Sequence, residues 1–68
     1  MFDRTYELKG QTYHYRHEFK ECGGRWNPKT KAWIIVGSLG DDTVWRYRRG
    51  GIRVTIHKGD VRDQLLAA

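Results

Sequence analysis

Arg25, Lys29 and Lys31 interleave with Trp26 and Trp33 in the stretch GGRWNPKTKAW, residues 23 to 33. Flat indoles and cations at this spacing suit one chemistry. A base can stack on an aromatic ring, worth roughly 1–3 kcal/mol, while a neighbouring charge holds its phosphate. A second run of cations follows in TVWRYRRGGIRVTIHKG, where Arg46, Arg48, Arg49, Arg53 and Lys58 occur between Asp42 and Asp60 with no acid among them. Each cation that reaches a phosphate releases a counterion, so such a run favours a polyanion. The RRGG within it has the form of an Arg-Gly-Gly tract of RNA-binding proteins, but a single copy between two strand-like stretches reads more simply as a turn.

Other chemistries fit less well. His14, His17 and His57 with Cys22 would supply imidazoles and a thiolate for zinc. Cys22, however, falls on the apolar stripe with Tyr15 and Phe19, where a free thiol behaves as a small hydrophobe. With one cysteine in the chain, a disulfide within it and a zinc site of two or more thiolates are excluded by count. No metal and no cofactor is expected. Cys22 and Ser38 are isolated nucleophiles, no P-loop pattern occurs, and the adjacent Asp41 and Asp42 read as a loop too poor in ligands for a divalent ion. The chain reads as a binding module, not an enzyme.

The elements that must position these groups fit one domain, residues 1–68, with a net charge of +5. So small a chain buries only about 60% of the surface it exposes unfolded. Three Trp, four Tyr and two Phe therefore supply most of the core. The longest apolar run, AWIIV at 32 to 36, is far short of the roughly 20 residues of a membrane helix, and the start of the chain lacks a signal-peptide pattern. The expectation is a soluble, intracellular protein without a membrane partner.

RTYEL reads as a first strand, ended by a turn at Lys9-Gly10-Gln11. Tyr15, Phe19 and Cys22 have the spacing of one helical face. That short helix starts at Thr12 or Tyr13 and ends at Gly23-Gly24, where a glycine takes the left-handed conformation that closes the last turn. RWN and KAWIIV then form a hairpin whose loop, Pro28 to Lys31, is opened by the Asn27 side chain, so that Trp26 and Trp33 oppose each other on one face.

GSLGDD is read as a loop, and TVWRYR with IRVTIHK as a second hairpin about Gly50-Gly51. In its first strand Trp45 and Tyr47 would oppose Val44, Arg46 and Arg48. In its second, Ile52, Val54 and Ile56 would oppose Arg53, Thr55 and His57. DVRDQLLAA adds a short terminal helix capped by Asp60. The fold class is thus α+β: one short helix packed on a small twisted antiparallel sheet of four or five strands, with a short C-terminal helix. Tyr15, Phe19, Trp26, Trp33 and Ile35 are assigned to its core, because a buried indole stabilises a small domain more than other side chains here can. The tryptophans then position the site, and the exposed cations form it.

The central segment FKECGGRWNPKTKAW, Phe19 to Trp33, resembles a pattern F-K-x-x-G-[GA]-R-W-[DN]-x-x-x-K-x-W of a small domain in phage and plasmid proteins, often beside primase or other DNA-processing domains. It is also similar to the core of the HARP domain of annealing helicases, in which a helix, a basic-aromatic strand, a D-P-K-T-[RK] turn and a Trp strand recur and contribute to binding branched DNA. The matching positions are Lys20, Gly23, Gly24, Arg25, Trp26, Asn27, Lys31 and Trp33, with Asn27 where Asp is also common. The resemblance extends loosely over residues 4 to 36 and does not reach the Arg-rich stretch.

It implies a mobile-element origin, a bacterial host cytoplasm and DNA in preference to RNA. The expected function is non-catalytic nucleic-acid binding of weak sequence specificity, through Arg25, Lys29, Lys31, Arg46, Arg48, Arg49, Arg53 and Lys58. The rival is a small phage or mobile-element effector that binds and inhibits or regulates a host protein, for example an anti-defence inhibitor such as an anti-CRISPR, using exposed Arg, Tyr and Trp as interface anchors. A targeting module of a larger enzyme ranks third, given Met1 and the closeness of the last element to the end.

Overall fold

Tyr6 and Leu8 are buried on one face of Arg4–Gly10 (β1) while Thr5 and Glu7 point to the other. In the computed structural model, which describes residues 3–67, β1 lies inside a four-stranded antiparallel sheet of order β2-β3-β1-β4. Phe2 and Ala68, counted above with the core aromatics and the terminal helix, lie outside the described residues.

A 3-10 turn at Tyr13–Tyr15 runs into the helix α1, Arg16–Glu21. Gly23, at φ 79°, donates to the Lys20 carbonyl, and Gly24 donates to that of Phe19 at 2.7 Å. These are the two bonds of a Schellman motif, as the glycine pair leads one to expect. Gly24 has no freedom to change, since a Cβ there would lie 2.6 Å from the Phe19 oxygen.

Arg25–Asn27 (β2) and Ala32–Gly37 (β3) form the expected hairpin, with Trp26 opposite Trp33. The Asn27 side chain accepts from the Lys29 N–H, and Lys31 takes the left-handed conformation that ends the loop.

The next segment differs from the expectation. TVWRYR is not a strand but part of a helix, α2, Asp41–Arg49. Gly50-Gly51 does supply a positive φ, at Gly51, but to close a helix: Gly50 donates to the Arg46 and Tyr47 carbonyls and Gly51 to that of Arg48. Asp41 and Asp42 occupy the first turn and Arg46, Arg48 and Arg49 the last, each sign where the helix dipole favours it. Ile52–Lys58 (β4) then pairs with β1, and Arg62–Ala67 forms α3, whose first turn is bonded to the Asp60 carboxylate through the Arg62 N–H.

The core lies between one sheet face and α1 and α2. Tyr6, Leu8, Trp33, Ile35, Ile52 and Val54 meet Phe19 from α1 and Val44 and Tyr47 from α2. Phe19 is at its centre, with ring centroids 5.2 Å from Tyr47 and 5.7 Å from Trp33. Tyr15 packs against this cluster half-buried. Two assignments need correction. Trp26 is 44% exposed, on β2 at the edge of the sheet, and Cys22 is exposed beyond the last full turn of α1. On the opposite sheet face α3 lies against β3. Asn27 Nδ2 donates to the Leu65 carbonyl, and the Thr5 hydroxyl donates to Gly59 O and accepts from Val61 N–H.

Candidate functional site

At Gly10 the chain leaves β1 in a conformation open to glycine alone: φ is 95°, and a Cβ would sit 2.8 Å from the Gly51 carbonyl oxygen. The sharp exit is held by Gln11 N–H donating to Gly51 O and Thr12 N–H to Gly10 O. It sets the phase of the 3-10 turn and of α1. Tyr15 and Phe19 turn inward to the core, so Tyr13, Arg16 and Lys20, at i, i+3 and i+7, share another side of these two elements. That side faces the tryptophans. Tyr13, Arg16, Lys20, Trp26 and Trp33, with Gly10 and Thr12, line one groove of about 410 Å³.

Trp33 forms the buried end of an aromatic row and Trp26 its exposed end, their centroids 5.6 Å apart. Tyr13, 69% exposed, carries the Arg16 guanidinium 3.8 Å above its ring centroid. Arg16 Nη1 also donates to the Tyr13 carbonyl at 2.8 Å, which fixes the guanidinium in place. No acid lines this groove, and neither Arg16 nor Lys20 is in an ion pair among the described residues. Its chemistry is a pair of exposed aromatic rings beside two free positive charges.

The cations singled out from the sequence are distributed differently. Lys29 and Lys31 lie in the turn that joins the strands of Trp26 and Trp33. Arg25, next to Trp26 on β2, points to the opposite sheet face, and Arg53 on β4 does so too, next to buried Val54. Lys58 sits at the far end of β4, opposite Arg4.

The α2 arginines have partners. Arg46 Nη2 donates to Glu18 Oε1 at 2.6 Å, and this hydrogen bond, with the Glu18 charge, raises the guanidinium pKa. Arg48 Nη2 donates to the Val54 carbonyl, and Arg49 lies 5.2 Å over the Trp45 ring. The hairpin face expected of Arg46, Arg48 and Arg53 is therefore absent: the first two are on a helix, the third on the far side of a strand.

Sequence reasoning missed Tyr13 and Arg16. Their signal was the 13, 16, 20 spacing, which becomes legible once the helix phase is set by Tyr15 and Phe19. Of the other candidate groups, His57 Nε2 lies 3.6 Å from Glu7 Oε1, whose second oxygen meets Lys9. Among the described residues no three His, Cys, Asp or Glu side chains are grouped to hold a metal ion. No described helix is long and apolar enough to cross a membrane. Burial pushes the Tyr47 hydroxyl up to about 12, with the nearby Glu18 charge adding to the shift.

Comparison of the chain with protein-family models, curated proteins and solved structures finds no match. The resemblance of Phe19 to Trp33 to the phage and HARP-type patterns rests on those residues alone.

Proposed function

We propose that this protein is a non-catalytic nucleic-acid-binding module of phage or plasmid type, acting in a bacterial host cytoplasm and holding phosphates with little sequence preference. The observation that carries this reading is the groove, where exposed Tyr13 and Trp26 stand beside Arg16 and Lys20 with no acid in the lining. Lys29 and Lys31 extend its positive field. Arg25, Arg53 and Lys58, on other sides, add to the general attraction of a chain of net charge +5. DNA is the ligand the resemblance implies.

A second reading, a protein partner, has its own support in Trp45, 61% exposed on α2 beneath Arg49, an aromatic and arginine pair of the kind that anchors interfaces. Titration with short oligonucleotides at two salt concentrations separates the two. Nucleic-acid binding requires an affinity that falls steeply as salt rises, by about 0.7–0.9 log units per log unit of salt for each phosphate held. No binding at low salt removes this function and leaves the protein-partner reading.

A further inference from the structure

Resting on that function, we propose that the groove is a stacking subsite for one unpaired nucleotide, so that the ligand is a single strand or an unpaired end and not continuous duplex. Tyr13 and Trp26 reach the same groove from different elements while each ring remains substantially in water. In a chain short of large apolar groups, leaving two aromatic rings out of the core forgoes stabilisation that burial would provide. A stacked ligand recovers it.

The ligand's chemistry is set by the walls. Arg16 and Lys20 repel a cation, which excludes a quaternary ammonium or a methylated lysine despite the aromatic lining, and they attract an anion. Nucleotides join both features, a flat ring and a negative charge, in the form the proposed function already calls for. Arg16 adds a planar surface of its own, held by the Tyr13 ring and carbonyl, and guanidinium planes stack on bases as aromatic rings do.

Size and access choose the strand form. About 410 Å³ falls near the small end of the roughly 300–1,000 Å³ typical of small-ligand sites, room for one nucleotide and not for a helix. A base inside duplex already has neighbours on both faces, whereas an unpaired base offers a free one. Trp26, 44% exposed on the edge strand and inclined at 54° to Trp33, is placed to receive it.

The test compares a short oligothymidine, an abasic strand of equal length and a blunt duplex, each titrated by fluorescence anisotropy against the parent and its variants. The intact strand should bind roughly 5- to 150-fold tighter than the abasic strand, the range one stacked base supplies. Tyr13→Ala and Trp26→Ala should each erode that margin, lowering the affinity for the intact strand by more than they change that for the abasic strand or the duplex. Tyr13→Phe, which keeps the ring, should preserve it. Tyr13 is too exposed for its removal to unfold the chain, so its variant decides the matter even if Trp26→Ala melts early. Equal binding of intact and abasic strands, or a margin untouched by Tyr13→Ala, overturns the stacking subsite. If all three probes then bind with a steep salt dependence, phosphate binding survives without it. If none binds at low salt, both fall together.

Discussion

The groove beside α1 and the outer surface of α2 carry the same residue types, arginine next to tryptophan or tyrosine, and differ in what those residues already touch. On α2, Arg46 holds Glu18, Arg48 holds a β4 carbonyl and Arg49 covers Trp45. In the groove, Arg16 leans on Tyr13 and its carbonyl, and no acid neutralises it or Lys20. A guanidinium bonded to a carboxylate has much of its field cancelled, whereas one lying on an aromatic ring keeps its full charge. Among the described residues only Arg46 of the α2 arginines is paired with an acid, so counting cations along the chain overstates Arg46 and understates the groove.

The largest effect expected from this contrast lies within the aromatic row itself. Trp33→Ala empties a space in the middle of the core and should lower unfolding stability by about 3–5 kcal/mol, enough to unfold a marginal domain. Trp26→Ala, at the exposed end, should cost about 1–2 kcal/mol. Urea unfolding followed by far-UV circular dichroism measures both. Equal losses would mean that Trp26 belongs to the core after all and that the groove has one structural wall fewer to offer a ligand.

How much of this was legible depends on whether a residue pattern admits one period or two. Tyr15 and Phe19 followed by Gly23-Gly24 admit only a helix with a glycine stop, and RWN-PKTK-AWIIV only a hairpin, so α1, β2 and β3 were readable. TVWRYR admits both. Its Val44, Arg46 and Arg48 alternate with Trp45 and Tyr47 as a strand would, and β-branched and aromatic residues favour that choice. The same stretch also places Val44 and Tyr47 three apart on one helical face, and those are the α2 residues the core buries. Gly50-Gly51 suits a hairpin turn and a helix end alike. What distinguished them was charge: acids at 41 and 42, arginines at 46, 48 and 49, the polarity of a helix dipole. The groove was half legible, through Lys20 and the tryptophans. Its other half needed the phase of the 3-10 turn, and Trp26's exposure needed the knowledge that β2 ends the sheet.

A smaller effect concerns the part of α2 that faces the core. Tyr47 is buried with its hydroxyl pKa raised to about 12, against about 10 in an unfolded chain. The folded state thus holds this proton more tightly than the unfolded one. The resulting stabilisation is fully present below pH 10 and is lost as pH rises through 10 to about 12. Its size is on the order of 2 kcal/mol. The parent should accordingly lose melting temperature across that interval faster than Tyr47→Phe, whose side chain has no proton to release. Parallel curves would show that the Tyr47 hydroxyl reaches water in the folded state.

The smallest effect should come from Arg46 on α2, and it bears most directly on the comparison. The single variants Arg46→Gln and Arg16→Gln lower the net charge equally, so any difference between them reflects where the charge sits. With a single-stranded probe, Arg16→Gln should flatten the slope of log affinity against log salt by about 0.7, the share of one lost phosphate contact. Arg46→Gln should change it by less than about 0.3. Arg46 leaves Glu18 unpaired when it is replaced, so a modest uniform loss of affinity is expected from the added negative charge, with the slope nearly intact. Melting temperature should barely move for either variant, since neither side chain belongs to the buried core cluster. A flattening by Arg46→Gln as large as that of Arg16→Gln would mean that Arg46 releases Glu18 to reach phosphate. The binding surface would then wrap from the groove across α2, and the distinction between engaged and free cations would fail as a guide to the site.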